Sequence, residues 1–462
     1  YLAGASHLRR LDGLLDFTGE PLTVFGPVFP LLLAPGGRSL LWASIIGALS
    51  VAGGTALMWA NLRHRVRWGS ALLGAAAFGA AQGLVRVAST VWSEAPYIAI
   101  SLATLLVLGR PLAGLITERR AAIGGALAGV GFLTRYAGAG LVMTALTMVA
   151  VAAIGGGRRH VVRCVGAAAA SAVAIAAIWV VRNLVETGEA LGPRFEGGTS
   201  EPVRTLVQRP FAPIGQLVVG FHMSADTTER VGQLVAVALA AITVWMFAGR
   251  SRRVIDIGMA LFAITSIVVP VLARAATSND IEYRVMSPIL VPIIWFAVVG
   301  CDAIAHRRAV IVAGAALTAW WCWQGVAMAA DVPDFLSGSA GTAQFSPALY
   351  DAIDELPSDA IVLTNNPQRV WFQTGREPTL FAFTRPRAGN SHYPISAAAT
   401  LSRACAGNAY LAWFPGLANT LGLEPEQLRP DLVAVVRLDE VSAVAGGTLY
   451  QLSPIDPSDC TS

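Results

Sequence analysis

Apolar residues in this chain come in long blocks over residues 38–330, and the gaps between blocks on one side are loaded with arginine. A hydrocarbon core of about 30 Å takes roughly 20 apolar residues per helix. About ten candidate spans follow, near 40–61, 68–88, 95–110, 121–134, 137–155, 161–181, 232–249, 255–274, 286–304 and 309–329. After residue 330 no stretch could cross a bilayer, and the pattern shortens. A helix is expected over 346–356, with Leu349, Ile353 and Leu356 on one face, then a strand over 360–364. Further strands are expected over 379–383, 409–414, 432–437 and 447–452. Short buried strands alternating with helices predict a sheet covered by helices. The chain therefore reads as a polytopic α-helical membrane protein with a C-terminal soluble α/β domain. Three regions are expected: 1–37 as an outer-face loop with interfacial helices, 38–330 as the transmembrane domain, and 331–462 as the soluble domain.

Two connecting segments are long. Residues 1–37 hold Pro21, Pro27, Pro30 and Pro35, and residues 182–231 hold four prolines and mixed charge. The piece Phe211–Met223 is apolar but too short to span, and reads as a helix lying in the interface or re-entering it.

Charge orients the spans. Arg63, Arg65 and Arg67, then Arg110, Arg119 and Arg120, then Arg158, Arg159 and Arg163, then Arg250, Arg252 and Arg253, then Arg307 and Arg308 fall in alternate gaps. The positive-inside rule makes their side the cytoplasm and places the soluble domain outside. Ten spans put both termini outside, so a further helix is expected upstream of Tyr1. The net charge of +4 comes from these clusters and points to topology and anionic lipid rather than nucleic acid. All 33 basic residues are arginine, so arginine in place of lysine carries little chemical information here. Cys164, Cys301 and Cys322 lie in or beside spans and are expected to be free. Cys405 and Cys460 lie in the tail, where an oxidising compartment would let them pair. The six histidines show no metal-ligand spacing, and there is no glycine-rich phosphate loop.

The opposite loops carry most of the acids: Asp12, Asp16, Glu20, Glu94, Glu186, Glu196, Asp226 and Asp280. They also hold arginines at 135, 182, 194, 204, 209, 274 and 284, more than a bias set by topology would leave there. Glu94, in Trp92-Ser93-Glu94-Ala95-Pro96, reads either as the first-turn acid of a helix capped by Ser93 or as a functional acid. Arg135 and Tyr136 read either as a tight turn with a snorkelling arginine or as a site pair. Arg182 and Asn183 follow Trp179, where the arginine could fork onto a phosphate or mark the interface beside an aromatic anchor. Tyr283 and Arg284, with Asp280 and Glu282, precede Pro288 and Pro292, which would loosen the first turns of a helix beside a cavity.

The order of these pieces carries a resemblance. Pro27-Val28-Phe29-Pro30-Leu31-Leu32-Leu33 is followed by Ser93-Glu94, Thr134-Arg135-Tyr136, Arg182-Asn183 with Gly188 and Arg194, and Tyr283-Arg284 with Pro288. Asn365-Asn366-Pro367 and Thr374-Gly375-Arg376 close the series. In this order the chain resembles the membrane glycosyltransferases of the GT-C fold, and within them glycosyltransferase family 39, which includes the protein O-mannosyltransferases and the lipid A aminoarabinose transferase. The resemblance implies transfer of a sugar from a polyprenyl phosphate to an acceptor glycan, lipid or protein at the outer face of a bacterial inner membrane, with inversion. It implies Asp16 and Glu94 as candidate catalytic acids, and Arg284, Arg182 and Arg135 as candidate donor-phosphate ligands. Tyr283, Tyr136, Asn183 and Glu20 would line the site. In the family the key acid stands a few residues before a tyrosine that opens a surface helix. That tyrosine matches Tyr1, which would put the acid upstream and leaves Asp16 as the substitute. No cofactor is implied, and a divalent metal stays open. A transporter or flippase would show inverted repeats and mid-span polar groups. A non-catalytic scaffold would use the outer domain to hold partners. A labelled polyprenyl-phosphate sugar separates all three.

Overall fold

The computed structural model describes residues 1–110, 115–192, 202–221, 223–248, 253–277, 281–304, 315–316, 318–327, 347–381, 395–415, 424–444 and 447–461. The chain divides into two units. One holds Tyr1, Thr23–Gly192 and Gly197–Val332; the other holds Leu2–Leu22, Pro193–Glu196 and Pro333–Ser462.

The first unit is helical. Its elements are α2 (Val28–Leu33), α3 (Leu40–Leu62), α4 (Trp68–Gly79), α5 (Gln82–Ser89), α6 (Glu94–Gly109), α7 (Glu118–Thr134), α8 (Ala139–Ala153) and α9 (Gly157–Thr187). Then come α10 (Val203–Gln208), α11 (Phe211–Val219), α12 (Ala225–Ala248), α13 (Val254–Thr277), α14 (Tyr283–Met286) and α15 (Leu290–Ile304). Among the described residues five helical stretches are long and apolar enough to cross a membrane, or six if the bent pair α4–α5 is one span. One of the five, Tyr136–Thr187, is 52 residues long. It contains two of the expected spans, because the chain reverses at Gly157, whose φ of 79° suits glycine. Helices α7, α8 and α9 then pack on one another. The expected span over 68–88 is bent by 46° between α4 and α5, so its second half leaves the line of the first. Of the last expected span only part is described, and it is helical there.

Packing in this unit uses small residues. A Cβ on Gly125 of α7 would run into the carbonyl oxygen of Ala168 on α9, and one on Gly129 would stand 2.9 Å from that of Ala172. Two glycines four apart thus let α7 and α9 meet backbone to backbone, which suits lipid, where helices gain little from burying apolar area. Helix α11 meets α12 in the same way through Gly215 and Gly232. The apolar piece expected in the interface is therefore packed on a helix. Polar glue is sparse. The Asn61 amide on α3 donates to Leu57 O at 2.8 Å and across to Leu102 O on α6 at 3.1 Å.

The second unit contains α1 (Leu2–Arg10) and a five-stranded sheet. Its strands are β1 (Ile361–Thr364), β2 (Thr379–Leu380), β3 (Ala409–Trp413), β4 (Val436–Val444) and β5 (Gly447–Pro454), in the order β2-β1-β3-β5-β4. β2, β1 and β3 run parallel, and β5 and β4 are added antiparallel. Successive side chains feed opposite faces, as strand geometry requires. Val362, Ala412 and Leu449 join Leu349 and Ile353 in one core. Leu363, Leu411 and Leu452 join Ala404 and Leu432 in the other. The strand expected over 432–437 begins only at Val436, because Pro430 opens a helical turn, Pro430–Val433. Asn365 and Arg376 have structural work in this domain. Asn365 donates to Phe414 O at 2.9 Å and accepts from Phe414 N at 3.0 Å, extending the β1–β3 ladder with a side chain. Arg376 donates to the carbonyls of Pro357, Asp354 and Leu356 and so closes the end of the helix Pro347–Asp354. Cys405 and Cys460 form a disulfide with Cα atoms 5.5 Å apart.

Candidate functional site

The two ends of the helical unit differ in chemistry. At one end lie the gaps rich in arginine. Arg65 Nε is 3.2 Å from Asp256 Oδ2, and Trp295 Nε1 donates to Asp256 Oδ1 at 3.3 Å, which ties the start of α13 to the turn after α3. Arg67 and Ser70 both donate to Asp302 on α15, at 3.0 and 2.6 Å. Arg120 donates to the carbonyls of Val107 and Arg110 at the end of α6. The His64 imidazole is pushed below its ordinary pKa by partial burial and by Arg110 and Arg63.

The opposite end gathers most of the residues singled out in the sequence. Glu94 opens α6 and is buried, with Oε1 3.3 Å from Nη1 of Arg135, the residue that ends α7. Arg135 Nη1 makes no hydrogen bond there, so the contact is one of charge. Ser93 does not cap the helix; its Oγ lies 3.1 Å from the Tyr1 hydroxyl. The Tyr1 ring packs on Phe25 and Phe29 with centroids 4.7 and 4.9 Å apart. Burial and the neighbouring Glu94 push the Tyr1 phenol up to about 12, against the pull of Arg135 and Arg284. Both arginines are thus within electrostatic reach of that hydroxyl.

Next along the end, the Tyr136 hydroxyl donates to Thr23 O at 2.9 Å and receives Trp179 Nε1 at 2.8 Å. Asn183, fully buried, donates to the same hydroxyl at 3.1 Å. Arg182 lies over the Trp179 ring, 4.5 Å from its centroid. A third group surrounds Tyr283. Arg284 Nε is 2.8 Å from Glu282 Oε2, and its guanidinium lies 5.2 Å from the Trp92 ring centroid. Trp92 and Tyr283 rings stand 6.0 Å apart.

Two further predicted residues lie in the other unit. Asp16 and Glu20 belong to the second unit. They form one turn, in which the buried Asp16 Oδ1 accepts from Thr18 N at 2.7 Å, Thr18 Oγ1 at 2.6 Å and Glu20 N at 3.3 Å. Glu20 closes that turn through its carbonyl, which accepts from Asp16 N at 2.7 Å. Arg194, Glu196, Asp280, His222, His306 and His392 lie outside the described residues. Among the described residues no group of three His, Cys, Asp or Glu side chains could hold a metal ion.

One residue was missed. Arg86 read as part of an apolar span, but the bend before α5 sets it against Phe221 and Tyr283, 4.3 and 5.0 Å from their centroids. The available signal was a charge within a block that otherwise reads as lipid-soluble.

No family model and no curated protein matches the sequence. Solved structures do match. ArnT from Cupriavidus metallidurans bound to undecaprenyl phosphate aligns at a TM-score of 0.63 and 13% identity, over 97% of this chain and 92% of that one. Its apo state aligns at 0.54 and 14% identity over the same shares. This chain has the GT-C fold. The Archaeoglobus fulgidus oligosaccharyltransferase in complex with Zn and sulfate aligns at 0.50 and 12% identity, over 98% of this chain and 68% of that one. The ArnT alignment covers 97% of this chain.

Proposed function

We propose that this protein transfers a sugar from a polyprenyl-phosphate donor to an acceptor hydroxyl. The observation that carries the reading is the gathering of Glu94, Arg135, Tyr136, Asn183, Arg182, Tyr283 and Arg284 at one end of a GT-C helical unit, away from the end whose arginines hold helices together. The likeness to ArnT, solved with undecaprenyl phosphate, supports it. In the proposed reaction the bond from sugar C1 to the phosphate oxygen breaks and the oxygen keeps the electron pair. The acceptor oxygen bonds to C1 from the opposite face, and its proton passes to a carboxylate. Charge grows on the phosphate as it leaves, so guanidinium groups already in place lower the barrier. Arg284, Arg182 and Arg135 are the proposed phosphate ligands, because a guanidinium grips phosphate oxygens with a fork of donors. Glu94 orients Arg135, and Tyr136, Asn183 and Tyr283 shape the site. Asp16 is the proposed base within this sequence, and Glu20 lies beside it in the same turn. The reading assigns no cofactor. It places the protein in the bacterial inner membrane with the sheet domain outside, taking a glycan, lipid or protein as acceptor and no nucleic acid.

Full-length protein in liposomes, given radiolabelled polyprenyl-phosphate sugars and envelope acceptors, should move label to an acceptor and release polyprenyl phosphate. Accessibility of the sheet domain to protease in spheroplasts tests the orientation. Absence of both transfer and release across a panel of donor sugars would sink the reading.

A further inference from the structure

We infer that Arg63, Arg110 and Arg253 form a seat for the phosphate of an anionic phospholipid at the arginine-rich end of the helical unit, separate from the proposed site of sugar transfer. Each of the three stands one residue beyond an apolar helix. Arg63 follows α3, which ends at Leu62; Arg110 follows α6, which ends at Gly109; Arg253 precedes α13, which starts at Val254. They meet on one residue, His64. Arg110 Nε lies 3.5 Å from His64 Nε2, Arg253 Nη1 donates to His64 O at 2.9 Å, and Arg63 is its neighbour in sequence. His64 is half-buried, and the three arginines are exposed. Three helix ends thus bring their cations together at the level where a bilayer holds its headgroups, and basic pockets between helices on this side suit anionic lipid. The Arg63 guanidinium lies over the Trp59 ring, 4.9 Å from its centroid, and Trp68 at the start of α4 is exposed, as indoles at a membrane interface are.

Charge decides the occupant. The acids of this end are engaged elsewhere: Asp256 with Arg65, Asp302 with Arg67 and Glu118 with Arg163, at 3.2, 3.0 and 4.0 Å. Asp256 is within electrostatic reach of Arg253, but Arg65 and Trp295 hold it. Among the described residues no carboxylate stands within ion-pair distance of Arg63, Arg110 or Arg253. The undescribed residues of these gaps, 111–114, 249–252 and 305–314, contain no Asp or Glu and add Arg250, Arg252, Arg307 and Arg308. Partial burial, then the charges of Arg110 and Arg63, push the His64 imidazole below its ordinary pKa, and an anion seated among them would relieve that repulsion. Phosphatidylglycerol brings a phosphate diester with one negative charge and neutral hydroxyls. Phosphatidylcholine brings the same phosphate with a cation attached, which the arginines would repel.

The test titrates lipid-stripped full-length protein with phosphatidylglycerol, phosphatidylcholine or inorganic phosphate and counts bound molecules by native mass spectrometry. The wild type should bind phosphatidylglycerol about fivefold or more tighter than phosphatidylcholine. Equimolar inorganic phosphate should not displace it. Arg63→Ala with Arg110→Ala should weaken phosphatidylglycerol binding about twentyfold, from about fivefold for each arginine at a membrane surface. Should that pair lose monodispersity, Arg63→Gln with Arg110→Gln keeps polar bulk and should show the same loss. Arg158→Ala with Arg159→Ala removes equal charge from exposed positions at the same end and should bind within twofold of wild type. Equal losses in the two pairs would reduce the effect to diffuse surface charge and overturn the site. So would a loss under twofold on removing Arg63 and Arg110, or displacement of the lipid by inorganic phosphate. No sugar donor is present, so every one of these results leaves the glycosyl-transfer reading where it stands.

Discussion

At one end of the helical unit Arg65 and Arg67 are tied to carboxylates, Asp256 and Asp302; at the other, Arg86, Arg182 and Arg284 lie over aromatic rings. The residue type is the same, and the surroundings assign the work. A guanidinium whose donors are filled by a carboxylate joins one helix to the next and has little left for a ligand. One that lies over a ring has its face on an aromatic partner, and its edge makes the polar contacts. The contrast is one of degree: Arg284 and Arg135 also face Glu282 and Glu94, and Arg63 lies over the Trp59 ring.

The largest test of that contrast is at Arg65. Arg65→Met would leave Asp256 buried without its cation and should cost about 3–5 kcal/mol, read as a fall in melting temperature in detergent. Arg65→Met with Asp256→Leu should recover most of the loss, since an apolar pair of similar size is tolerated there. A single variant that melts like wild type would show that the pair joins nothing. Next in size, Cys405→Ser with Cys460→Ser opens a closure between residues 55 apart and should destabilise the sheet domain by about 2–4 kcal/mol in urea. The melting of the helical unit should not move, which checks that an effect seen at Arg65 is local.

At the aromatic end the prediction reverses. Arg284→Ala should leave the melting temperature within error and lower donor use by about 1.5–3 kcal/mol in apparent free energy. Arg284→Lys should restore part of it, because the charge returns without the fork. Loss of stability in step with loss of activity would erase the distinction between the two ends. The smallest effect concerns a scaffold pair outside the helices. The hydrogen bond from Arg429 holds the Asp431 carboxyl below its ordinary pKa, with burial opposing it and the charge of Arg429 adding to it. A depressed folded pKa stabilises the domain above the unfolded value and is lost as pH falls through the folded one. Asp431→Asn should therefore lower stability modestly at neutral pH, where the contribution is fully present, and flatten the acid side of the profile, so that variant and wild type converge as pH falls well below about 4.

Much of this was legible in the sequence. Block length named the spans in α3, α8, α9, α12, α13 and α15, while α6 and α7, of 16 and 17 residues, fall short of a full span by length, and alternate gaps separated Arg65, Arg67 and Arg120 from Arg135 and Arg284. Periodicity found the strands at 361 and 409 and missed the start of β4, where Pro430 imposed a helical turn. Arg86 showed only as a charge in an apolar block, because a bend of 46° is written in no single residue. Asp256 and Asp302 went unremarked for the complementary reason: an acid at a helix end has no meaning until the arginine of another helix reaches it. Asp16 shows what a loop position leaves unsaid. Its place in a loop suggested chemistry, and its side chain organises a turn.

The glycines where α7 meets α9 set a rule for inheritance. Every missense change at Gly125 adds at least one carbon, and that carbon meets the carbonyl oxygen of Ala168. No substitution there is conservative, however small the new residue. In a library of all single variants, selected for a folded membrane protein, Gly125 and Gly129 should stand out as a vacant row one helical turn apart. Most neighbours on the lipid side should accept many alternatives. The interface would then be read from survivors alone, with no structure in hand.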